Sequence, residues 1–151
     1  MTRKAMEAAV LEFTHAVGLM LRRVRAAAGS HELSLSESAV IGRLAKDGPA
    51  TTADLARAEG VKPQSMGTTL AALEERGMIE RTPHPSDGRQ MNIRLTAKGV
   101  AVRKSAGDAK RMWLARAIAQ LDRQEQETLF KAGEIMKRLV EVDQQRDERS
   151  R

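Results

Sequence analysis

The chain has 151 residues, 41% of them hydrophobic, a net charge of +6 and no cysteine. That length suits one domain with a sizeable core, and the lack of cysteine excludes a disulfide framework, a thiolate metal site and a cysteine redox switch. No apolar run approaches the roughly 18 residues of a spanning helix, and the N-terminus lacks a secretory pattern, so no membrane partner is expected and the expected compartment is the cytoplasm.

Ala5 to Ala28 reads as a long helix, with Val10, Phe13, Val17, Met20 and Val24 recurring at 3-4-3-4 spacing. Arg22, Arg23 and Arg25 cluster at its C-terminal end, where they suit the helix dipole; DNA contact is the competing reading. Gly29 and Ser30 break the helix. The next begins at Ser34 or Ser36, with Glu37 able to complete a capping box from Ser34. Val40, Ile41 and Leu44 form its buried side, and Asp47-Gly48-Pro49 stops it.

Thr51 to Ala58 reads as a short helix opened by a Thr51/Asp54 signal, and Gly60 supplies the turn after it. Pro63 opens a second helix at a position where its missing N–H does no harm, and Gly77 ends it. Met66, Leu70 and Leu73 give that helix one apolar face, while Lys62, Gln64, Ser65, Thr68 and Thr69 present hydrogen-bonding groups on the other. Two short helices about a glycine turn, the second with a polar leading face, form a helix-turn-helix signature.

Residues 78–82 and 90–95 both alternate apolar with polar, as half-buried strands do, around the turn-rich tip Pro83 to Arg89. A hairpin directly after a recognition helix is a wing. Beyond it, Thr96 caps a helix carrying Gly99 and Gly107, both of which weaken it. Met112, Leu114, Ile118 and Leu121 form its stripe. Asp122, with Glu125, caps a last helix striped by Leu129, Ile135, Met136, Leu139 and Val142 and reaching about Asp143. The tail 144–151 is charged and is expected to fray.

The expected fold is mainly α with a small β-hairpin wing: a winged helix-turn-helix flanked by N- and C-terminal dimerisation helices. One domain spans 1–151, with a DNA-binding region at 34–98 and a helical dimerisation region at 5–33 and 99–143. The striped outer helices exceed what one winged unit needs, and a second copy is the economical cover, so a homodimer is expected. Packing of these helices on the winged core of a single chain is the alternative.

The order of elements resembles the multiple-antibiotic-resistance-regulator (MarR) family of bacterial transcription factors. The resemblance covers most of the chain. It is carried by Asp54-Leu55-Ala56, Gly60-Val61, Leu73-Glu74-Glu75-Arg76-Gly77-Met78-Ile79, Pro85-Ser86-Asp87-Gly88-Arg89 and Leu95-Thr96-Ala97-Lys98-Gly99. It implies a homodimeric repressor on a near-palindromic double-stranded DNA operator. Helix 63–77 would enter the major groove, where Gln64, Ser65, Thr68 and Thr69 meet base edges and phosphates. Wing 83–89 would sit at the minor groove, with Arg89 inserted and held by Asp87; a fork so held loses less entropy on insertion. It also implies a small anionic effector, an aromatic or phenolic acid, that releases the DNA.

Three departures stand out. His84 replaces an acid of the wing motif, which would make the wing more positive on protonation. Lys62 replaces a capping serine, weakening the cap but adding a phosphate partner. Gln90 stands where relatives carry a second basic residue.

Further candidates are weaker. Ser36 and Ser38 would donate to phosphate from the first turn of their helix, with simple capping explaining Ser36 equally well. Arg81 and Arg94 would touch the DNA backbone or pair with Glu80 or a neighbouring acid. Asp87 beside Gly88 is also a turn signal in its own right. For an effector, His15 with Arg22 or Arg23 is the candidate set, although two phenylalanines, one tryptophan and no tyrosine make an aromatic lining hard to build.

No catalytic, metal or cofactor motif is present. His15, His31 and His84 are far apart, and there is no phosphate loop or serine elbow, so an enzyme is not expected. The alternative function is a non-specific architectural DNA binder. It draws on the basic balance but is tempered by residues 36–98, where nine Lys/Arg face eight Asp/Glu. A winged domain used only for protein contact is a third reading.

Overall fold

The computed structural model describes residues 1–149, with the backbone alone for residue 30 and for 143–149. Among these residues are six α-helices: α1 (Arg3–Ala26), α2 (Leu35–Asp47), α3 (Thr52–Glu59), α4 (Pro63–Glu75), α5 (Ala97–Ile118) and α6 (Arg123–Arg149). Three strands, β1 (Ala50–Thr51), β2 (Ile79–Pro83) and β3 (Met91–Leu95), form an antiparallel sheet in the order β1-β3-β2. The chain divides into two compact units, one spanning Met1–Arg111 and the other starting at Met112.

The core of the first unit is the winged region. Val40, Ile41 and Leu44 of α2, Leu55 and Ala56 of α3, Met66, Leu70 and Leu73 of α4, and Met78, Ile79 and Ile93 of the wing are buried together. Each large aliphatic side chain so buried contributes about 1.5–3 kcal/mol, which an isolated hairpin cannot supply for itself. The starts of α2 and α3 are capped by side chains close in sequence. Ser34 and Glu37 close a full capping box on α2, so the cap is Ser34 and not Ser36. The Thr51 hydroxyl accepts the Asp54 N–H at the head of α3. Gly60, at φ 64° and ψ 30°, makes the left-handed turn between α3 and α4, a conformation that strains any residue with a side chain.

The sheet has one strand more than the predicted hairpin. Ala50 and Thr51 pair with Ile93 and Asn92, fastening the wing to the start of the helix-turn-helix. Two residues are too short for a period-2 pattern to appear in sequence. In the β2–β3 ladder Glu80 faces Arg94 and Arg81 faces Ile93.

Gly99 also departs from expectation. A Cβ there would overlap the Met78 carbonyl oxygen, so this glycine admits the close passage of α5 over the base of the wing. Thr96 braces the same corner: its hydroxyl donates to the Gly77 carbonyl at 2.6 Å and accepts the Gly99 N–H at 3.1 Å.

α1 buries none of its residues; Val10, Leu11, Phe13, Val17, Leu19, Met20 and Leu21 all stay exposed. In the second unit, Asp122 and Glu125 cap α6 reciprocally, and the Gln126 amide donates to the carbonyls of Ile118, the last residue of α5, and of Leu121 in the turn after it. Phe130, Ile135, Leu139, Val140 and Val142 are exposed along α6. The α6 backbone continues past the predicted stop near Asp143 to Arg149. The expected frayed tail thus falls partly on this helix, and residues 150–151 lie outside the described residues.

Candidate nucleic-acid interface

α4 is seated by Met66, Leu70 and Leu73, which leaves Gln64, Ser65 and Thr68 exposed on the far side. Its first residue, Pro63, follows Lys62, which makes no side-chain cap. The free N–H groups of the first turn therefore remain open beside an ammonium, a combination that favours an anion. Thr68 and Thr69 donate their hydroxyls back to the carbonyls of Gln64 and Ser65 at 3.2 and 3.3 Å. In the free protein these two threonines therefore offer acceptor oxygens and methyl groups, while Gln64 keeps both functions of its amide.

The two serines of α2 part company. Ser36 lines a groove of about 320 Å³ with Ser65, Met66 and Thr69 of α4. Ser38, half-buried, faces a different cavity against α5. The structure thus brings Ser36, but not Ser38, beside the recognition helix.

At the wing tip the carboxylate of Asp87 accepts the backbone N–H of Arg89 at 3.1 Å and the Gln90 side-chain amide at 3.4 Å. It fixes the backbone of Arg89 and not its guanidinium, which differs from the expected side-chain clamp. His84 is part of the same turn. Its Nδ1 lies 3.2 Å from the backbone nitrogens of Ser86 and Asp87 and from the Ser86 hydroxyl. An imidazole that accepts these N–H groups works as the replaced acid would, as an acceptor.

Ion pairing sorts the cations of this region. Arg43 binds Glu59 at 2.8 Å, Arg57 binds Asp54 at 3.0 Å and Arg76 binds Glu37 at 3.2 Å. Arg81 binds Glu74 at 3.1 Å and Arg94 binds Glu80 at 2.6 Å. Of the two readings left open for Arg81 and Arg94, both adopt the ion pair, Arg81 with an acid on α4 instead of Glu80. No ion pair among the described residues engages Lys62 or Arg89. Lys46 and Lys98 are likewise outside the ion pairs of the described residues, so near-balance in the count leaves four uncompensated cations, two of them at the head of α4 and the tip of the wing. Asp54 is held below the ordinary carboxylate range first by its hydrogen bond with the Thr51 side chain and then by Arg57.

The residues considered for an effector do not assemble. His15, Arg22 and Arg23 are exposed on α1. Arg25 is fastened elsewhere, donating to Glu32 at 2.7 Å and to the Leu33 carbonyl at 3.0 Å. The first unit instead holds a cavity of about 340 Å³ lined by Leu33, Ser38, Ile41 and Gly42 on one side and by Arg103, Lys104, Ala106, Gly107, Lys110 and Arg111 on α5. Arg111 pairs with Asp108, whereas Arg103, Lys104 and Lys110 have no acidic partner among the described residues. Sequence reasoning missed this set, although positions 103, 104, 110 and 111 share one helix face at i, i+1, i+7 and i+8.

A helix-turn-helix with a seated recognition helix, followed by a hairpin of this register, defines a winged helix-turn-helix protein. The MarR family model matches residues 33–91. An HTH-type transcriptional regulator of Mycobacterium tuberculosis is 36% identical over 126 residues, covering 83% of this chain and 88% of that protein. An HTH-type transcriptional repressor of the same organism is 38% identical over 106 residues, covering 70% and 76%. Among solved structures, a putative transcriptional regulator from Pseudomonas aeruginosa superposes with a TM-score of 0.79 at 27% identity, over 93% of this chain and 98% of that one. A MepR mutant of S. aureus bound to an oligodeoxyribonucleotide shares the fold, with a TM-score of 0.67 at 19% identity over 89% and 97% of the two chains. The chain belongs to the MarR family of helix-turn-helix transcriptional regulators.

Proposed function

We propose that the protein is a dimeric repressor that binds a near-palindromic operator, with α4 in the major groove and the 83–89 wing at the minor groove. The observation that carries this reading is the placement of uncompensated charge. Five arginines of the winged region are neutralised by acids, while Lys62 and Arg89, at the two points meant to meet phosphate and minor groove, are not. An architectural binder gains from positive charge spread over its surface; unpaired cations at these two points, with Gln64, Ser65 and Thr68 exposed on α4, favour sequence reading. Direction of control follows the repressor among the relatives, and contact with duplex follows the oligonucleotide-bound neighbour.

Two further parts complete the proposal. The exposed apolar residues of α1 and of α6 form the cover between two copies, since faces of this kind seldom stay in water. The α2–α5 cavity, with three unpaired cations at its α5 wall, receives an anionic small molecule whose binding lowers DNA affinity.

The test is fluorescence anisotropy on a duplex taken from upstream of the gene, with excess unrelated DNA, at two salt concentrations. Binding that survives the competitor and weakens in Arg89→Ala is the expected result. Binding displaced equally by any duplex would return the function to an architectural one.

A further inference from the structure

The recognition helix contains a residue that its own fold does not explain. Gly67 lies in the interior of α4, where glycine is the poorest helix former apart from proline. Proteins accept a glycine there for a positive φ or for a close approach of another group. Gly67 has no positive φ; among the described residues that property belongs to Gly29, Gly48, Gly60 and Gly77. Nor does anything among the described residues press on it, because a Cβ built at Gly67 meets none of their atoms within 4 Å. Gly99 shows what an internal reason looks like, since there the Met78 carbonyl occupies the space.

The position has an outward use. Gly67 follows Gln64 by three residues and precedes Thr68 by one; half-buried, it lies on the flank between the buried Met66, Leu70 and Leu73 and the exposed Gln64 and Thr68. A bare Cα at that edge leaves a notch beside the two hydrogen-bonding side chains, as wide as the side chain it lacks.

We propose that Gly67 is a specificity-determining position: its bare Cα lets the edge of a base pair approach the α4 backbone more closely than any side chain would permit, setting the depth at which Gln64 and Thr68 read the groove. This rests on the operator-binding reading above and adds a residue with no hydrogen-bonding group to it.

The experiment measures two properties of the full-length Gly67→Ala protein, its thermal midpoint and the duplexes it selects from a random pool beside wild type. With open space around the site, alanine stiffens the helix, so the midpoint should rise by about 2–4 °C. Affinity for the duplex selected by wild type should fall tenfold or more, with binding to unrelated DNA retained. A variant that is more stable and binds the same duplex with unchanged affinity would overturn the proposal. So would one that is less stable, because the glycine would then serve the fold. If wild type selects no sequence at all, the operator-binding reading fails as well, and that outcome differs from one in which wild type selects and the variant matches it.

Discussion

The Nδ1 of His84 accepts the backbone N–H of Asp87 at 3.2 Å, so the wing tip is folded around an imidazole lone pair. The same lone pair faces the Ser86 N–H, and Asp87 in turn holds the N–H of Arg89. The position of Arg89 is thus set through two successive side-chain acceptors. Replacing His84 by Asn or Asp keeps an acceptor near the same place, as in other short polar turns; replacing it by Ala or Lys removes it. The expected outcome is faster amide exchange at Ser86 and Asp87 in His84→Ala than in His84→Asn, read by NMR. Equal exchange in the two variants would show that the lone pair does not hold the turn.

Arg81, Arg94 and Arg89 test how pairing decides which cations are available to DNA. The first two lie in ion pairs with Glu74 and Glu80, while the third has no such partner. Releasing an arginine from its acid offsets much of what a phosphate contact gains. Arg89→Ala should reduce the slope of log affinity against log salt by about 1, and Arg81→Ala or Arg94→Ala by clearly less. Equal slopes for all three variants would mean that the ion pairs open at no cost on binding.

The helix-turn-helix was legible because its signals are local. Thr51, Gly60, Pro63 and the 66/70/73 spacing each act within one or two turns, and each appears where expected. The wing strands were equally plain from their alternation. What escaped depends on partners distant in sequence. β1 exists only because β3 passes beside Ala50 and Thr51. The Arg81–Glu74 pair joins a strand to a helix. Ser36 and Ser38 are two residues apart yet line different cavities, since a helix turns by about 200° over that interval. The cation-lined cavity needs Gly42, Ala106 and Gly107 to leave room across two helices, a requirement that no single stretch reveals.

Gly99 separates local propensity from packing. By propensity alone, Gly99→Ala should strengthen α5. The Met78 carbonyl occupies the space its methyl group would need, and that oxygen also accepts the Thr96 N–H at 3.1 Å, so it is not free to move aside. The expected outcome is a net loss of about 1–3 kcal/mol in urea unfolding, the usual cost of overpacking. A gain in stability would show that α5 can lift from the wing base without penalty.

Asp54 gives a pH-dependent contribution whose sign follows from its partners. The Thr51 side chain and Arg57 favour the ionised carboxylate and lower its pKa in the folded state. A depressed folded-state pKa contributes stability that is present above the unfolded value and is lost as pH falls through the folded one. Asp54→Asn should therefore be less stable than wild type at pH 7, and the difference should shrink once the pH drops below about 4. Thr51 complicates the comparison usefully, because its hydroxyl also caps the Asp54 N–H, a function worth about 1 kcal/mol. If Asp54 acts through Thr51, the double variant Thr51→Ala/Asp54→Asn will lose less than the two single losses combined. Thermal unfolding of the four proteins at pH 7 and pH 3.5 checks both statements. Additive losses would place the effect of Asp54 in the general dipole of α3 and not in its bond to Thr51, and a difference undiminished at pH 3.5 would show that the carboxylate charge is not its cause.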